Sequence, residues 1–348
     1  TRHSALELLA FWLAARRQLP RALGTFAPDA ILAHFTLPAG AVAQRLAARR
    51  GVPYSVVLHG SDVPGYQPGR FGALYPLVRP WVRRVWTGAA HVVAVSEPLA
   101  DLAAAVWPAG RIRVIHNGVD TERFRPASPP RTGSETTCRL VAVAQLIPRK
   151  GLAVLIEALA RLPPAPRRRV QAEIYGAGPE RERLERLARD RGLAPVVRFQ
   201  GLATHERLPD ILAAADVFVL PSLQEGLPLS LLEALACGLP AVAADVGGVA
   251  TVLRHEANGL LVPPADPEAL RAALERLLAD PPLRRRLAEE ARRTAERFAW
   301  PAVWERYRQL MAPPPAAAGA PPTETRRSGR IENRDTSRRS TGSPAGRS

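Results

Sequence analysis

The stretch that most constrains the fold runs through residues 220–240, LPSLQEGLPLSLLEALACGLP. It follows the apolar run Val217–Leu220, which is typical of a buried strand. Proline and glycine then interrupt the chain. Leu229–Ala236 is rich in helix-forming residues and is stopped by Gly238. A strand, a tight loop and a helix in this order predict a ligand site at the carboxyl end of a strand in an α/β sheet.

Two carboxylates, Glu225 and Glu233, lie on either side of a predicted anion site formed by the loop amides and the helix N-terminus. Eight residues of helix rise by about 12 Å. A retaining glycosidase instead holds its carboxylates about 5–5.5 Å apart, so a hydrolytic pair is disfavoured. Ionised carboxylates accept hydrogen bonds from sugar hydroxyls, which suits a nucleotide-diphospho-sugar. The alternative is that Glu225 caps the helix or lies in solvent, and that Glu233 lies on a solvated helix face.

The string from Glu225 to Pro240 resembles the E-x7-E signature of the retaining GT-B glycosyltransferases of family four (glycosyl transferases group 1), of the bacterial polysaccharide and glycolipid type. The resemblance covers roughly residues 30–310. It implies an α/β fold of two Rossmann-like domains facing a cleft. It also implies transfer of a sugar from a nucleotide-diphosphate donor to a glycan or lipid-linked acceptor with retention of anomeric configuration.

The same resemblance assigns roles within this string. Glu225 would hold hydroxyls of the donor sugar, and Glu233 would hold the ribose. The amides of Gly226, Leu227 and Pro228 would meet the sugar and the phosphates. No protein nucleophile is implied, because the family is understood to transfer on the face from which the diphosphate leaves.

Lys150 is the only lysine of the chain. It lies with Arg149 in a turn between a predicted strand and a predicted helix, where cations would face an anion at the helix N-terminus. The alternative is a solvated basic loop. The resemblance implies that Lys150 and an arginine five residues earlier touch the diphosphate. Gln145 occupies that earlier position, so whether Arg149 replaces the missing cation stays open.

A second motif, His59-Gly60-Ser61-Asp62, follows a predicted strand of the first half. The resemblance implies that His59 lines the donor sugar near the reacting bond and that Asp62 lies on the acceptor side. The alternative is that His59 satisfies a loop backbone and that Asp62 caps a turn. Gly176 and Gly178 precede another predicted helix. The family's loop there approaches the nucleotide, and tight-turn packing is the alternative.

Composition narrows the class of protein. The chain has 348 residues, enough for two α/β domains, and it contains no apolar run of transmembrane length. Its net charge of +16 suits anionic substrates, anionic lipid or nucleic acid, but no nucleic-acid module is recognisable, so no nucleic-acid partner is expected. Cys138 and Cys237 lie far apart, which fits a reducing cytoplasm. No metal or cofactor is expected, because Arg and Lys can neutralise the diphosphate.

Strand patterns alternate with helical patterns along the chain, which predicts βαβ units and parallel sheets. The expected domains are an N-terminal Rossmann-like acceptor domain (1–127), a linker (128–137), a donor domain (138–296), a helix crossing back to the first domain (297–311) and a disordered basic tail (312–348). Four aromatic residues are expected to be buried where that helix crosses: Phe298, Trp300, Trp304 and Tyr307.

The chain begins at Thr1 and lacks the opening strand and glycine loop with which the family begins. The first domain is therefore expected to be truncated at its N-terminus. Three rival functions stay open at this point. One is an inactive fragment that binds a nucleotide sugar, the second is a GT-B sugar-nucleotide epimerase, and the third is a basic nucleic-acid binder.

The predicted helix 71–86 has a basic and aromatic end formed by Arg79, Trp81, Arg83, Arg84 and Trp86. Its apolar residues recur with helical period, which indicates a face packed in the core. The alternative is an interfacial helix that contacts anionic lipid. Such a helix would place the protein peripherally at the inner face of the membrane.

Overall fold

The computed structural model describes residues 5–67, 75–127 and 137–312. Within these ranges the strands form one four-stranded and one six-stranded sheet, and every strand pair is parallel. The strands are β1 Ile31–His34, β2 Tyr54–Leu58, β3 His91–Ala94, β4 Ile112–Val114, β5 Cys138–Val143, β6 Val170–Tyr175, β7 Val197–Gly201, β8 Val217–Leu220, β9 Ala241–Ala244 and β10 Gly259–Val262.

Helices connect these strands, as parallel pairing requires. The α-helices of the described ranges are α1 Ala5–Leu23, α2 Ala41–Arg50, α3 Tyr75–Thr87, α4 Glu97–Val106, α5 Leu152–Ala160, α6 Pro164–Arg168, α7 Arg181–Asp190, α8 Leu208–Ala213, α9 Leu229–Ala236, α10 Val249–Val252, α11 Pro267–Ala279, α12 Pro281–Glu296 and α13 Trp300–Met311. A π turn, Thr36–Gly40, precedes α2, and a 3-10 turn, Pro148–Lys150, precedes α5.

The six-stranded sheet has the order β10-β9-β8-β5-β6-β7. The chain enters at β5, proceeds to one edge and then returns to β8 on the other side of β5. The strand order therefore reverses between β5 and β8. In doubly wound sheets, ligands bind outside the carboxyl ends of the strands at this switch point. The four-stranded sheet has the order β1-β2-β3-β4 and shows no reversal within the described residues.

The central strands of both sheets are apolar because helices cover both faces. All residues of β2, β8 and β9 are buried. Helix α9 also buries one side, through Leu231, Leu232 and the segment 234–236. The predicted strands agree with these elements to within about two residues at each end, the usual uncertainty of such boundaries. The helix predicted over residues 6–19 differs more, because α1 continues past Pro20 to Leu23.

Helix α13 is joined by backbone hydrogen bonds to the segment that follows β4. The Val119 amide donates to the Phe298 carbonyl (2.9 Å), and the Trp300 amide donates to the Val119 carbonyl (3.1 Å). Val303 and Tyr307, four residues apart on one helix face, are buried. The expected burial of Trp300 and Trp304 is wrong, because these rings lie off that face and are 47% and 55% exposed.

Helix α3 buries Val82, Val85 and Trp86, and the Trp86 indole donates to the Thr36 hydroxyl (2.9 Å). The expectation that Trp86 contacts lipid is therefore wrong, and the core interpretation holds for this face. Of the five basic and aromatic residues named above, Arg79, Trp81, Arg83 and Arg84 remain exposed, as does Leu77. Trp81 meets Trp12 edge to face (6.3 Å between centroids). Within the described ranges, no helix combines the length and apolar composition needed to cross a bilayer.

Several sequence predictions fall outside the described residues. These are positions 71–74 of the predicted helix, the predicted linker up to residue 136, and the predicted tail from residue 313 onward. Cys138 and Cys237 are both buried and unpaired.

A glycine allows the loops after β5 and β8 to approach each other. Gly151 has φ +62°, and a Cβ there would lie 1.9 Å from the Pro221 carbonyl oxygen. Gly192 has φ +68° with nothing within 4 Å of such a Cβ.

Left-handed backbone alone costs alanine about 1–2 kcal/mol. We expect Gly192→Ala to lose about that much unfolding free energy and Gly151→Ala to lose over about 3 kcal/mol, since backbone must also move. Equal losses in urea titrations would contradict this account of the loop contact.

Candidate active site

The two loops at the switch point bring Lys150 and Glu225 into contact. The Lys150 Nζ lies 2.6 Å from Glu225 Oε1, and the Ser222 hydroxyl donates to the same oxygen (2.7 Å). The two side chains are 14% and 6% exposed. Opposite charges tolerate such burial when they are paired and hydrogen bonded. Among the described residues, Glu225 Oε2 receives no further hydrogen bond, so it remains available to a ligand.

Arg149 belongs to the same loop. Its carbonyl accepts a hydrogen bond from the Leu223 amide (2.7 Å), which ties the β5 loop to the β8 loop. The positive charge of its guanidinium affects the pKa of the buried Tyr66 phenol. Burial and the Glu225 charge raise the pKa of Tyr66, and the Arg149 charge lowers it. A second cation of this loop therefore acts on Tyr66, whereas Gln145 is exposed.

The N-terminus of α9 supplies amide donors beside this pair. Pro228 occupies the N-cap position, and no side chain caps the helix. Proline has no N–H, so Pro228 cannot take part in the predicted amide contacts. The Gly226 and Leu227 amides have no hydrogen-bond partner among the described residues. Unsatisfied amides at a helix N-terminus favour an anion.

The carbonyls of this loop are held by residues from both halves of the chain. The Gly226 carbonyl accepts from the Ser96 hydroxyl (3.0 Å) and from the Gly248 amide (2.9 Å). The Leu227 carbonyl accepts from the Asn117 side-chain amide (3.0 Å). The carbonyls are thus fixed while the amides stay free, an arrangement that preorganises the loop for an anionic ligand.

His59 lies against the same loop from the side of the four-stranded sheet. A Cβ on Gly226 would lie 2.7 Å from the His59 carbonyl oxygen, so glycine permits this approach. The His59 ring stacks on His34, with 2.9 Å between Nε2 and His34 Nδ1. Burial and then His34 lower the pKa of His59 to about 4. The imidazole is therefore neutral near pH 7 and can donate or accept a hydrogen bond without carrying charge.

Asp62 anchors the His59 turn. Its Oδ1 accepts from the amides of His59 (3.0 Å) and Gly60 (3.1 Å), and its Oδ2 accepts from the Thr36 amide (2.8 Å). Burial raises the pKa of Asp62, and these hydrogen bonds oppose the rise. With both oxygens engaged, Asp62 caps the turn, as the alternative interpretation predicts. An acceptor-side role stays a prediction.

Glu233 has different neighbours from Glu225. Its carboxylate lies 3.8 Å from His205 Nε2, in the loop after β7. Burial raises the pKa of Glu233 to about 7, and the Arg123 charge opposes the rise. Separate partners place the two carboxylates in separate surroundings. That they serve different parts of one long ligand stays a prediction.

Gly176 and Gly178 pack on the turn that leads to Lys150. A Cβ on Gly176, at φ +146°, would lie 1.8 Å from the Ala144 carbonyl oxygen, and one on Gly178 would lie 2.3 Å from that of Leu146. This is the tight-turn packing that the alternative interpretation predicts. A contact with a nucleotide stays a prediction.

Sequence reasoning missed four residues of this region: His34, Tyr66, Ser96 and Asn117. Three of them follow or end strands β1, β3 and β4, so the carboxyl ends of parallel strands were the signal that could have found them. Tyr66 lies in a glycine- and proline-rich loop with no periodic pattern. Its ring fills the space where a Cβ on Gly60 would lie, and its carbonyl accepts from the Gln224 side chain.

Comparison with known proteins decides the family. The profile of Glycosyltransferase Family 4 matches residues 2–123, and that of Glycosyl transferases group 1 matches residues 124–294. A D-inositol 3-phosphate glycosyltransferase of Frankia alni is 34% identical over 314 residues, which cover 82% of this chain and 75% of that protein. The chain belongs to the glycosyl transferases group 1 family.

Other members of this family match over shorter regions. A D-inositol 3-phosphate glycosyltransferase of Streptomyces bingchenggensis is 38% identical over 204 residues, or 54% of this chain and 45% of that protein. A GDP-mannose-dependent alpha-(1-6)-phosphatidylinositol monomannoside mannosyltransferase of Mycobacterium tuberculosis is 35% identical over 225 residues, or 60% and 57%. The chain thus spans about half the length of these two relatives.

Solved structures of the family share the fold. A sucrose-phosphate synthase from Thermosynechococcus elongatus superimposes with a TM-score of 0.76 at 28% identity, covering 89% of this chain and 80% of that one. The fold of this chain is therefore GT-B, with two Rossmann-like domains built on the parallel sheets described above.

The raised pKa of Glu233 predicts a pH-dependent stability. Below the ordinary pKa of 4.5 the carboxyl is protonated in the folded and unfolded states. As pH rises to about 7, the unfolded chain releases this proton first, so the folded state loses relative stability. We expect Glu233→Gln to gain on the order of 1–3 kcal/mol over the parent protein above pH 7, and little below pH 5. Urea unfolding at both pH values measures this gain.

The matched control is Glu182→Gln, which changes an exposed carboxylate on α7. Its difference from the parent should stay near zero at both pH values. A pH-independent difference for Glu233→Gln would contradict the proposed cause.

Proposed function

We propose that this chain transfers a sugar from a nucleotide-diphosphate donor to a hydroxyl of a glycan or lipid-linked acceptor, with retention of anomeric configuration. The observation that carries the proposal is the buried Lys150–Glu225 pair beside the uncapped N-terminus of α9, at the switch point of the donor sheet. Family membership supports the class of reaction. Similarity to proteins named as glycosyltransferases does not favour the epimerase or the inactive fragment.

The diphosphate is assigned to the cationic side of this site. Lys150 acts as a point charge, and the free Gly226 and Leu227 amides donate hydrogen bonds to the phosphate oxygens. Arg149 provides the second cation in place of the arginine that Gln145 replaces. These groups stabilise the negative charge that grows on the leaving diphosphate as the glycosidic bond breaks.

The two carboxylates are assigned to the ends of the donor. Glu225 accepts hydrogen bonds from sugar hydroxyls through its open oxygen, while Lys150 holds the other oxygen in place. Glu233 accepts from the ribose hydroxyls near His205 and the loop after β7. An ionised Glu233 can accept hydrogen bonds from both ribose hydroxyls, so donor binding is expected to favour ionisation.

The reacting centre is assigned to the part of the site next to His59, where the four-stranded half meets the Gly226 loop. The acceptor oxygen bonds to the anomeric carbon as the bond from that carbon to the diphosphate oxygen breaks, and the acceptor proton passes to the departing diphosphate. The neutral His59 ring orients a sugar hydroxyl by a hydrogen bond. Contacts between the Gly226 loop and the loops of His59 and Ser96 limit the access of water, which protects the donor from hydrolysis.

The donor site predicts that Lys150→Ala and Glu225→Ala each abolish transfer, with a loss of at least about a hundredfold in turnover. The charge left without its partner is buried, so each variant is also expected to lose stability. Folding is checked by circular dichroism and by the melting temperature. Glu225→Gln is expected to lose less stability, because its side-chain oxygen can still accept from Ser222 and Lys150.

The control for these variants is Glu182→Ala on the exposed face of α7. It should keep full turnover. Normal turnover in Lys150→Ala or Glu225→Ala would contradict the assignment of this pair to the donor site.

The donor assignment also predicts thermal stabilisation by nucleotide sugars. A ligand that binds only the folded state raises its melting temperature by mass action. Screening UDP-, GDP- and ADP-sugars should identify at least one that raises the melting temperature of the parent protein and not that of Lys150→Ala. Incubating that donor with candidate acceptors, and assigning the product anomer from NMR coupling constants, then tests retention. An inverted product would refute retention while leaving the transfer itself in place.

A further inference from the structure

A cavity of about 330 Å³ lies between the four-stranded half, the segment after α10 and the crossing helix α13. Its polar lining consists of His116, Thr251, Arg254, Thr294, Arg297 and Arg306. None of these residues belongs to the Lys150–Glu225 site. The size falls at the lower end of the range of about 300–1,000 Å³ typical of small-molecule sites.

The three arginines of this lining come from separate elements, one after α10, one at the end of α12 and one in α13. Within the described residues, none of their guanidiniums forms an ion pair or a hydrogen bond. Neighbouring arginines of α12 behave differently, because Arg292 pairs with Glu296 and Arg293 with Glu290. All three arginines are exposed to solvent. Three cations without a carboxylate partner around one cavity repel each other, and a bound anion would relieve that repulsion.

The cavity has a fixed polar frame. The buried Asn258 side chain accepts from the Arg254 amide (2.6 Å) and donates to the Val252 carbonyl (2.8 Å) and the Thr294 hydroxyl (2.9 Å). This places the Arg254 backbone against Thr294. The Thr294 oxygen accepts from Asn258, so its own proton remains available to a ligand.

The opposite wall comes from the four-stranded half. The His116 ring packs at a tilt of 58° against Phe298 (5.6 Å between centroids), and its Nε2 lies 3.3 Å from Glu97 Oε2. The Thr251 hydroxyl donates to the same Glu97 oxygen (3.3 Å). Glu97 therefore joins the two halves at the rim of the cavity, and a ligand inside would touch both halves and α13.

We propose that this cavity is a second anion site, which binds a small free molecule carrying a phosphate or diphosphate group. Guanidinium forks from Arg254, Arg297 and Arg306 match the oxygens of such a group in pairs. Because its walls come from both halves, the occupied site favours one arrangement of the domains and so changes the rate of transfer. The proposal goes beyond the donor site and does not depend on it.

The test titrates inorganic pyrophosphate into the full chain by calorimetry. The Lys150→Ala background weakens the donor site and isolates the second one. In that background we expect one saturable site, weakened about tenfold by each of Arg254→Ala, Arg297→Ala and Arg306→Ala. The matched control is Arg285→Ala, an exposed arginine of α12 outside the cavity, which should leave the affinity unchanged. Each variant keeps the remaining arginines of the chain, so nonspecific binding of pyrophosphate to them is the same in every comparison.

Melting temperatures check that the variants fold. Unchanged affinity in the triple arginine variant, or no saturable site in the Lys150→Ala chain, would overturn the proposal. A further arm measures binding to phosphatidylglycerol vesicles. Vesicle binding that the triple variant loses, without pyrophosphate binding in the Lys150→Ala chain, would assign the cations to a lipid headgroup and also refute it. The proposed sugar transfer is tested separately, by transfer assays on the parent protein. A failure of that proposal would therefore be distinguished from a failure of the second anion site.

Discussion

The contact between Lys150 and Glu225 is the interaction on which the candidate active site depends. Each charge makes the burial of the other tolerable, and removing one partner of such a pair typically costs about 3–5 kcal/mol. The pair can form only because the strand order reverses between β5 and β8, which brings two loops distant in sequence to one edge of the sheet. Gly151 then lets their backbones meet.

A second constraint is the contact between the Gly226 loop and the four-stranded half. Gly226 and Gly248 lack the Cβ that would collide with the His59 carbonyl and with the Gly226 carbonyl itself. On the other side, a hydrogen-bond chain runs from Trp86 through the Thr36 hydroxyl to Asp62, which holds the His59 turn. Helix α3, expected either to face the core or to lie on a membrane, thus contributes to positioning His59.

Much of the fold could be predicted, because long periodic segments show their type in the order of apolar residues. The strands after the linker and the helix α9 agree closely with expectation. The errors came from residues whose burial depends on partners elsewhere in the chain. Trp300 and Trp304 are large aromatic residues of the kind often buried in a core. They are exposed because the buried face of α13 contains Val303 and Tyr307 instead. Tyr66 had no local signal at all.

Local patterning by itself predicted parallel α/β sheets and the strand, tight loop and helix that end in α9, because strand periodicity, proline and glycine act over a few residues. It also singled out Lys150, through composition alone. Only the tertiary structure decided that Lys150 meets Glu225, that His59 stays neutral beside His34, and that three arginines surround one cavity. Distances between loops, and the burial that shifts a pKa, arise from packing of segments far apart in sequence, which no local pattern records.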